Sequence, residues 1–459
     1  MGKFSLRNKK SKPPIGTILF GLIVAGSIFV YSSPMFERAE PRIEIDNDGH
    51  WNLKKSIRVA ITDVSGMKSY KVGIKSSSGE SNLKHEQYIN PENSLNIEVK
   101  PPRSAYALKD KTITLVVEAT DASHWNFFKG NSSVKEFKLQ IDKKRPQTNI
   151  VSNSYKIIRG GSALVIFKVS DENLKEIYIE SNNDKKFKPQ PFYKDGYYIS
   201  LLAWPITNKS FKATVIAKDY AGNIAKTNVP LYLKEKSYRV SNIKLSDRFL
   251  KGKIAQLAEE FEETQGVEGS IEQFKIINED VRAKNEKLIH ELSSNVSDDL
   301  VNNFKITKMY PLKNAQVVAS FGDHRKYSYN NEKISESYHL GLDLASNAMA
   351  AIKPQNGGDV VYSDYNGLYG NMPMVHHGLG LYTLYGHCSS VNVDVDEHLD
   401  AKSEIANTGK SGYAMGDHLH FGVLVQGIEV RPAEWMDTQW IKLNILDVIK
   451  SAKDIINKS

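Results

Sequence analysis

The sequence predicts a mainly β, multidomain chain with one apolar helix near its start and helical segments late. Three observations carry this. Stretches of alternating apolar and polar residues bounded by turn residues fill most of residues 35–235. A basic tail runs straight into an uncharged apolar run, Ile15 to Tyr31. After residue 245 the apolar period becomes helical, and it returns to β-rich, glycine-punctuated sequence over 305–440. The 459 residues suit two to four domains at roughly 100–200 residues each. A composition 40% hydrophobic and 25% charged excludes wholesale disorder and a polytopic membrane protein. The single cysteine excludes an intramolecular disulfide framework and a cysteine-rich zinc module.

In chain order, residues 1–14 hold Lys3, Arg7, Lys9, Lys10 and Lys12 and no acidic residue, so five units of the formal +8 lie in the tail. The rest of the chain has 56 basic against 53 acidic side chains, which removes the nucleic-acid partner that a positive net charge invites. The 17 residues 15–31 are at the lower edge of a spanning helix. Basic residues ahead of the run keep the tail cytoplasmic and export the chain beyond Tyr31. No Ala-x-Ala site comes after the run, so the expectation is a retained single-pass anchor in the inner (cytoplasmic) membrane, with the remainder in the periplasm or extracytoplasmic space, and not a cleaved signal peptide.

Residues 35–145 read as short strands, among them Ile57 to Ile61 and Ile113 to Ala119, and residues 146–240 repeat the pattern. In both, strands end in Asp followed by a small-residue turn: Asp63, Asp121, Asp171 and Asp219. Such an Asp caps the turn with its carboxylate. Two immunoglobulin-like sandwiches, 35–145 and 146–240, are expected. They carry no catalytic cluster and read as spacers or binding modules. Residues 246–300 form a helical linker: Ser246 and Asp247 are N-cap candidates, followed by Leu250, Ile254, Leu257, Ala258 and Phe261 at helical spacing, with a second run over 271–292. A last helix, 441–459, aligns Ile441, Ile445, Val448, Ala452 and Ile455 as a docking face.

Eight of the 12 histidines fall within 321–420. In His339-Leu340-Gly341-Leu342-Asp343 the polar pair is four apart, and in His418-Leu419-His420 two apart. Even spacing in extended chain puts such pairs on one face. Two imidazoles and a carboxylate suit a borderline-soft divalent ion, above all zinc, and three protein ligands leave a position for water. His387 is a further imidazole for acid–base work. Cys388 beside it points the other way and reads as core. His376 and His377 read as a surface pair, not a second metal site.

With His339-x-x-x-Asp343, His387 and His418-x-His420 in that order, flanked by Ser320-Phe321-Gly322, Arg325, Tyr369-Gly370-Asn371 and Gly416-Asp417, residues 305–440 resemble the M23 (LytM/lysostaphin-type) zinc metallopeptidases. The resemblance implies one zinc ion held by His339, Asp343 and His420, catalytic roles for His387 and His418, and peptidoglycan as the partner. An anchored bacterial endopeptidase cutting peptide stems or cross-links is then expected. The alternatives are a non-catalytic regulator of other wall hydrolases on the same fold, and a wall-binding protein acting through its immunoglobulin-like domains, which would also contact cell-wall, division or shape proteins. Two positions depart from the family pattern. Val395 to Asp400 lacks the usual glycine turn, and Pro373 is expected to weaken or end its strand. The helical linker or Lys326–Ser337 is a candidate cover for the groove.

Overall fold

The computed structural model describes residues 15–103 and 108–458. The basic tail 1–14 lies outside the described residues. By contacts the chain forms two compact units, Met1–Arg145 with Asp219–Asn223, and Pro146–Lys218 with Ile224–Ser459.

In the first unit, Ile15–Ser32 is an 18-residue apolar helix with no buried residue, long and apolar enough to cross a membrane. A six-stranded sheet makes up the body of this unit. Where short strands are expected, the chain makes two long ones, Ile57–Ser76 and Gly79–Val99. The register breaks between Thr62 and Met67, so the first part of Ile57–Ser76 pairs with Arg42–Asp46 and with residues 94–99, the second with Thr112–Asp121. Such irregularities let a strand bend and continue where a turn would otherwise end it. Ile61, Val72, Leu115 and Leu139 are almost wholly buried in one core. Asp121 caps its turn as its position predicts: one carboxylate oxygen accepts from the backbone N–H groups of Ser123 (3.0 Å) and Asn131 (2.8 Å). Asp219 repeats the device with the N–H of Asn223 at 2.7 Å.

The second unit opens with a pair of four-stranded sheets, whose central strands are Ser162–Ser170 with Tyr197–Ala203 and Leu174–Ser181 with Ala213–Asp219. Their core does not close on itself. It runs on through Trp435, Ile445 and Ile456 of the C-terminal segment and into the C-terminal sheet. Polar contacts fasten the same junction. The Ser162 N–H donates to Glu434 (3.0 Å), the Trp435 indole donates to the Ser162 hydroxyl (3.1 Å), and the Gln426 amide accepts from the Lys188 N–H (2.8 Å). The final helical stripe buries Ile441, Ile445, Val448 and Ala452, but ends on Ile456 while Ile455 is half exposed. Ala452 and Ile456 are four apart, which keeps them on one helical face as well as the three-residue step to Ile455 would.

The C-terminal sheet has eight strands: β1 (Gln316–Ala319), β2 (Leu342–Ala345), β3 (Gly358–Tyr365), β4 (Asn371–His376), β5 (Leu381–Gly386), β6 (His398–Leu399), β7 (Leu419–Val425) and β8 (Ile428–Val430). The order is β1-β2-β7-β5-β4-β3-β6, with β8 beside β7. Pro373 does not end β4. It pairs with Ser363 of β3, and pairing to β5 starts one residue later at Met374, so no N–H is missed. The turn at 394–397 dispenses with glycine by putting Asp396 in the left-handed region, φ +68°, which Asp tolerates better than most residues.

Alternation gives the sheet two buried faces. Phe421, Val423, Leu381 and Val375 face the core shared with the sandwich, while Met374, Leu384 and Leu424 face the helical segment 247–292. Ser246 caps that segment, accepting from the Phe249 N–H at 3.3 Å. Leu250, Ile254, Leu257, Phe274, Ile277 and Ile289 are buried against the sheet, so the segment is a layer of this unit.

The junction can be tested in two ways. Trp435→Ala removes a wholly buried indole and should cost about 3–5 kcal/mol, read as a lower urea midpoint for one concerted transition of the second unit. Burial holds the Glu434 carboxyl up at about 7 against the opposing pull of Arg431. A folded-state value above the unfolded one means protons bind the folded state more tightly, so this contribution is full below about 4.5 and is lost as pH rises through about 7. Glu434→Gln should flatten the fall in melting temperature between those values.

Candidate metal centre

His339 follows the hairpin His324–Tyr329/Glu332–Tyr338. Its backbone is pinned twice: its N–H donates to the Asp323 carbonyl (3.0 Å) and its carbonyl accepts from the Gly322 N–H (2.7 Å). His339 and Asp343 converge across a bend at 339–341, not along one uninterrupted strand. Asp343 on β2 lies directly opposite His420 on β7, so the two side chains share a face at short Cβ separation. The result is a tight group: His339 Nε2 is 3.0 Å from Asp343 Oδ1 and 3.1 Å from His420 Nδ1, and His420 Nδ1 is 2.9 Å from Asp343 Oδ1.

The donor chemistry fits a cation. His339 Nδ1 donates to the Ser320 carbonyl at 3.0 Å, which leaves Nε2 as a lone pair aimed at a carboxylate and a second imidazole. Three electron-pair donors facing one another are reconciled by a metal ion. Their separations approach the roughly 3.3 Å edge of a tetrahedral site with bonds of about 2.0–2.1 Å. All three residues are buried. Burial raises the Asp343 carboxyl, but the hydrogen bonds and charges of His339 and His420 outweigh it and hold it well below the usual carboxylate range. His420, buried and beside other imidazoles, is pushed down to about 4. Its Nε2 is buried with no hydrogen-bond partner among the described residues.

His418 and His387 join the group without entering it. His418 shares the face of His420, with Leu419 and Phe421 wholly buried on the other. Its Nδ1 donates to the Gly416 carbonyl (2.8 Å), and its Nε2 is 3.8 Å from Asp343 Oδ1. His387, one residue beyond β5, has a left-handed backbone, φ +67°. That costs about 1–3 kcal/mol in a non-glycine residue. Its N–H donates to the Tyr369 carbonyl (2.7 Å) and its Nδ1 to the Ser411 carbonyl (2.9 Å), which hold it there. Burial, reinforced by His420 and His418, pushes His387 down to about 3, so the ring is neutral at physiological pH. The two rings lie 4.8 Å apart.

Other sequence candidates fall elsewhere. His324 stacks on Tyr338 at 4.4 Å, outside the cleft, while Arg325 lines it. His376 and His377 are half-buried and not the surface pair expected. His376 stacks on Tyr382 (4.4 Å), and His377 bonds to the Gly357 carbonyl (2.7 Å) and to Thr383 (2.8 Å). Cys388 is buried and donates to the Tyr385 carbonyl at 3.1 Å.

The centre opens into a cleft of about 400 Å³. One wall is a surprise. Residues 243–246, Phe249 and Arg282 line it, with Phe249 stacked on Tyr413 at 6.0 Å. Sequence reasoning missed Arg282 and Tyr413. The only available signal was a buried stripe in the helical segment that had to pack on something.

With this geometry in hand, the comparison with known families is decisive for the C-terminal region: residues 337–432 match peptidase family M23. That match makes residues 337–432 an M23-type domain, about a fifth of the chain. Over 94 residues, 20% of this chain and 22% of the relative, the chain is 29% identical to the DD-carboxypeptidase/endopeptidase Mpg of Neisseria meningitidis. Over 110 residues, 24% of this chain and 26% of the relative, the chain is 29% identical to the murein hydrolase activator EnvC of Escherichia coli. A solved M23 peptidase structure from Pseudomonas aeruginosa aligns with TM-score 0.39 and 18% identity, over 61% of this chain and 95% of that one. The match spans about a quarter of the length of the curated relatives.

Gly341 sits against the centre: a Cβ there would meet His420 Nε2 at 2.4 Å and the Phe421 carbonyl at 2.9 Å. Gly341→Ala should therefore displace the His420 ring and weaken divalent-metal affinity at least about tenfold, measured by competition with a chromophoric chelator.

Proposed function

We propose that this chain is a membrane-anchored zinc endopeptidase that hydrolyses peptide stems or cross-links of bacterial peptidoglycan. The observation that carries the reading is the meeting of His339, Asp343 and His420 with His387 and His418 in one cleft of the M23 domain.

In this reading His339 Nε2, Asp343 Oδ1 and His420 Nδ1 hold one zinc ion. Zinc supplies Lewis acidity, making water nucleophilic near neutral pH and polarising a carbonyl. Asp343, ionised across the working pH range, contributes a single negative charge, so the loaded site keeps a positive excess for the developing oxyanion. His418 and His387 each spend Nδ1–H on a backbone carbonyl, which leaves Nε2 as the nitrogen able to accept a proton. His418 Nε2 takes the proton of the attacking water and returns it to the leaving amine. His387, buried and neutral, orients the reacting groups by hydrogen bonding. Tyr369, packed edge-on against the His420 ring at 5.3 Å, fixes that ligand's orientation.

The apolar helix Ile15–Ser32 supports single-pass anchoring in the cytoplasmic membrane, with the chain beyond it on the extracytoplasmic side, where peptidoglycan lies. The 29% identity to EnvC favours a second reading, an M23-fold regulator that activates other hydrolases. An intact set of five polar residues supports the hydrolase instead. Such a set costs folding energy, including the strained His387 backbone, that a regulator does not need.

The test is digestion of purified peptidoglycan with and without a chelator. Chelator-sensitive release of free stem peptides is expected, and His418→Ala should reduce it by at least about a thousandfold while retaining bound zinc. No release by metal-loaded protein would sink the hydrolase reading and leave the regulator.

A further inference from the structure

Two arginines line the cleft, and neither belongs to the segment that matches the family. Arg282 comes from the helical segment and Arg325 from the hairpin before His339. Their side chains are only 17% and 26% exposed. Two partly desolvated guanidinium groups beside a centre built for a divalent cation repel one another and it, and burying such charge is costly unless it is paired.

The pairing inside the protein is incomplete. Arg282 spends two of its five N–H donors on Asn278, on the carbonyl (3.2 Å) and the side-chain oxygen (3.1 Å). Its nearest carboxylate, Glu286, is 3.8 Å away, beyond hydrogen-bond reach. Burial also raises Glu286 to about 7, so near neutral pH it is ionised only part of the time. Arg325 is 3.7 Å from Asp323, whose two oxygens already accept from the Ser241 hydroxyl at 2.8 and 2.9 Å. Both arginines line the same cleft as Tyr413 and the three clustered residues His339, Asp343 and His420.

We propose that Arg282 and Arg325 form a carboxylate-binding subsite that selects peptides with a free carboxylate next to the scissile bond. Guanidinium forks match carboxylates in shape and charge. Its place beside a scissile bond rests on the hydrolase reading, whereas carboxylate binding by the two arginines does not. A stem peptide can offer this chemistry from its C-terminal carboxylate or from a side-chain carboxylate.

The experiment uses the full chain in detergent micelles and three fluorescently labelled stem tetrapeptides: one with both carboxylates free, one amidated at the C-terminus and one amidated on the side chain. Binding is measured by anisotropy and cleavage separately by chromatography. Amidation of one of the two carboxylates should weaken binding to the natural chain roughly tenfold or more, and which one identifies the source. Arg282→Gln should weaken the free peptide to the same degree and the sensitive amide little further, while Arg282→Lys restores part of the loss. Indifference to both amidations, absence of binding to all three, or an equal loss on all three in Arg282→Gln overturns the proposal. Should Arg282→Gln fail to fold, the amidation series on the natural chain decides alone. Selective binding without any cleavage would remove the hydrolase reading and keep the subsite; cleavage without selectivity would do the reverse.

Discussion

The two-residue period of β7 governs the rest of the C-terminal unit. Leu419, Phe421, Val423 and Val425 fill one face and are wholly buried. His418, His420 and Leu424 are therefore committed to the other. Because Asp343 is directly opposite His420, the same alternation on β2 sends Leu342 and Leu344 into the core and the carboxylate to the imidazoles. Slipping β7 by one residue would bury a histidine in an apolar core and expose a leucine, and slipping β2 would bury the Asp343 carboxylate in the same way. The cluster of His339, Asp343 and His420 thus inherits its precision from apolar packing on the far side of the sheet, where a mis-registered strand costs the most.

That face of the sheet has two duties. Near His420 it must leave a cleft, and farther along, at Met374, Leu384 and Leu424, it must be kept from water. The helical segment 247–292 does both. Its apolar stripe covers the sheet, and its edge, with residues 243–246, Phe249 and Arg282, becomes a wall of the cleft. Chain outside the family segment therefore shapes what can enter.

Much of this was legible in the sequence. The even spacing in His418-x-His420 placed both rings on one face, the apolar helical stripes marked the helices, and Ser246 marked a cap. What was not legible involved long-range partners. At Thr62–Met67 the Asp63 and Gly66 signals mark a register break and not a strand end, so expected short strands become 20- and 21-residue ones. His376 and His377 looked like a surface pair before a glycine turn. Their burial depends on Tyr382, Thr383 and Gly357, which only the sheet brings near. The Pro373 expectation failed because the missing N–H falls one residue short of the pairing with β5. The left-handed backbone of His387 has no sequence mark at all. Arg282 could not be assigned to the cleft without knowing which face of the sheet the helices cover.

The core shared by the sandwich, the helices and the M23 domain has a consequence for how this chain can change over time. A domain with a polar rind can be cut out, duplicated or joined to new neighbours, because its boundary is already wet. Here the boundaries of the family segment are apolar on both faces, at Val423 and Trp435 on one side and at Met374 and Phe274 on the other. Phe274 packs edge-on against Tyr327 at 5.1 Å, so volume lost at one leaves a void beside the other. A substitution in the helical segment is then felt in the sheet that carries the histidines, and the segment its motif marks out is not a portable part.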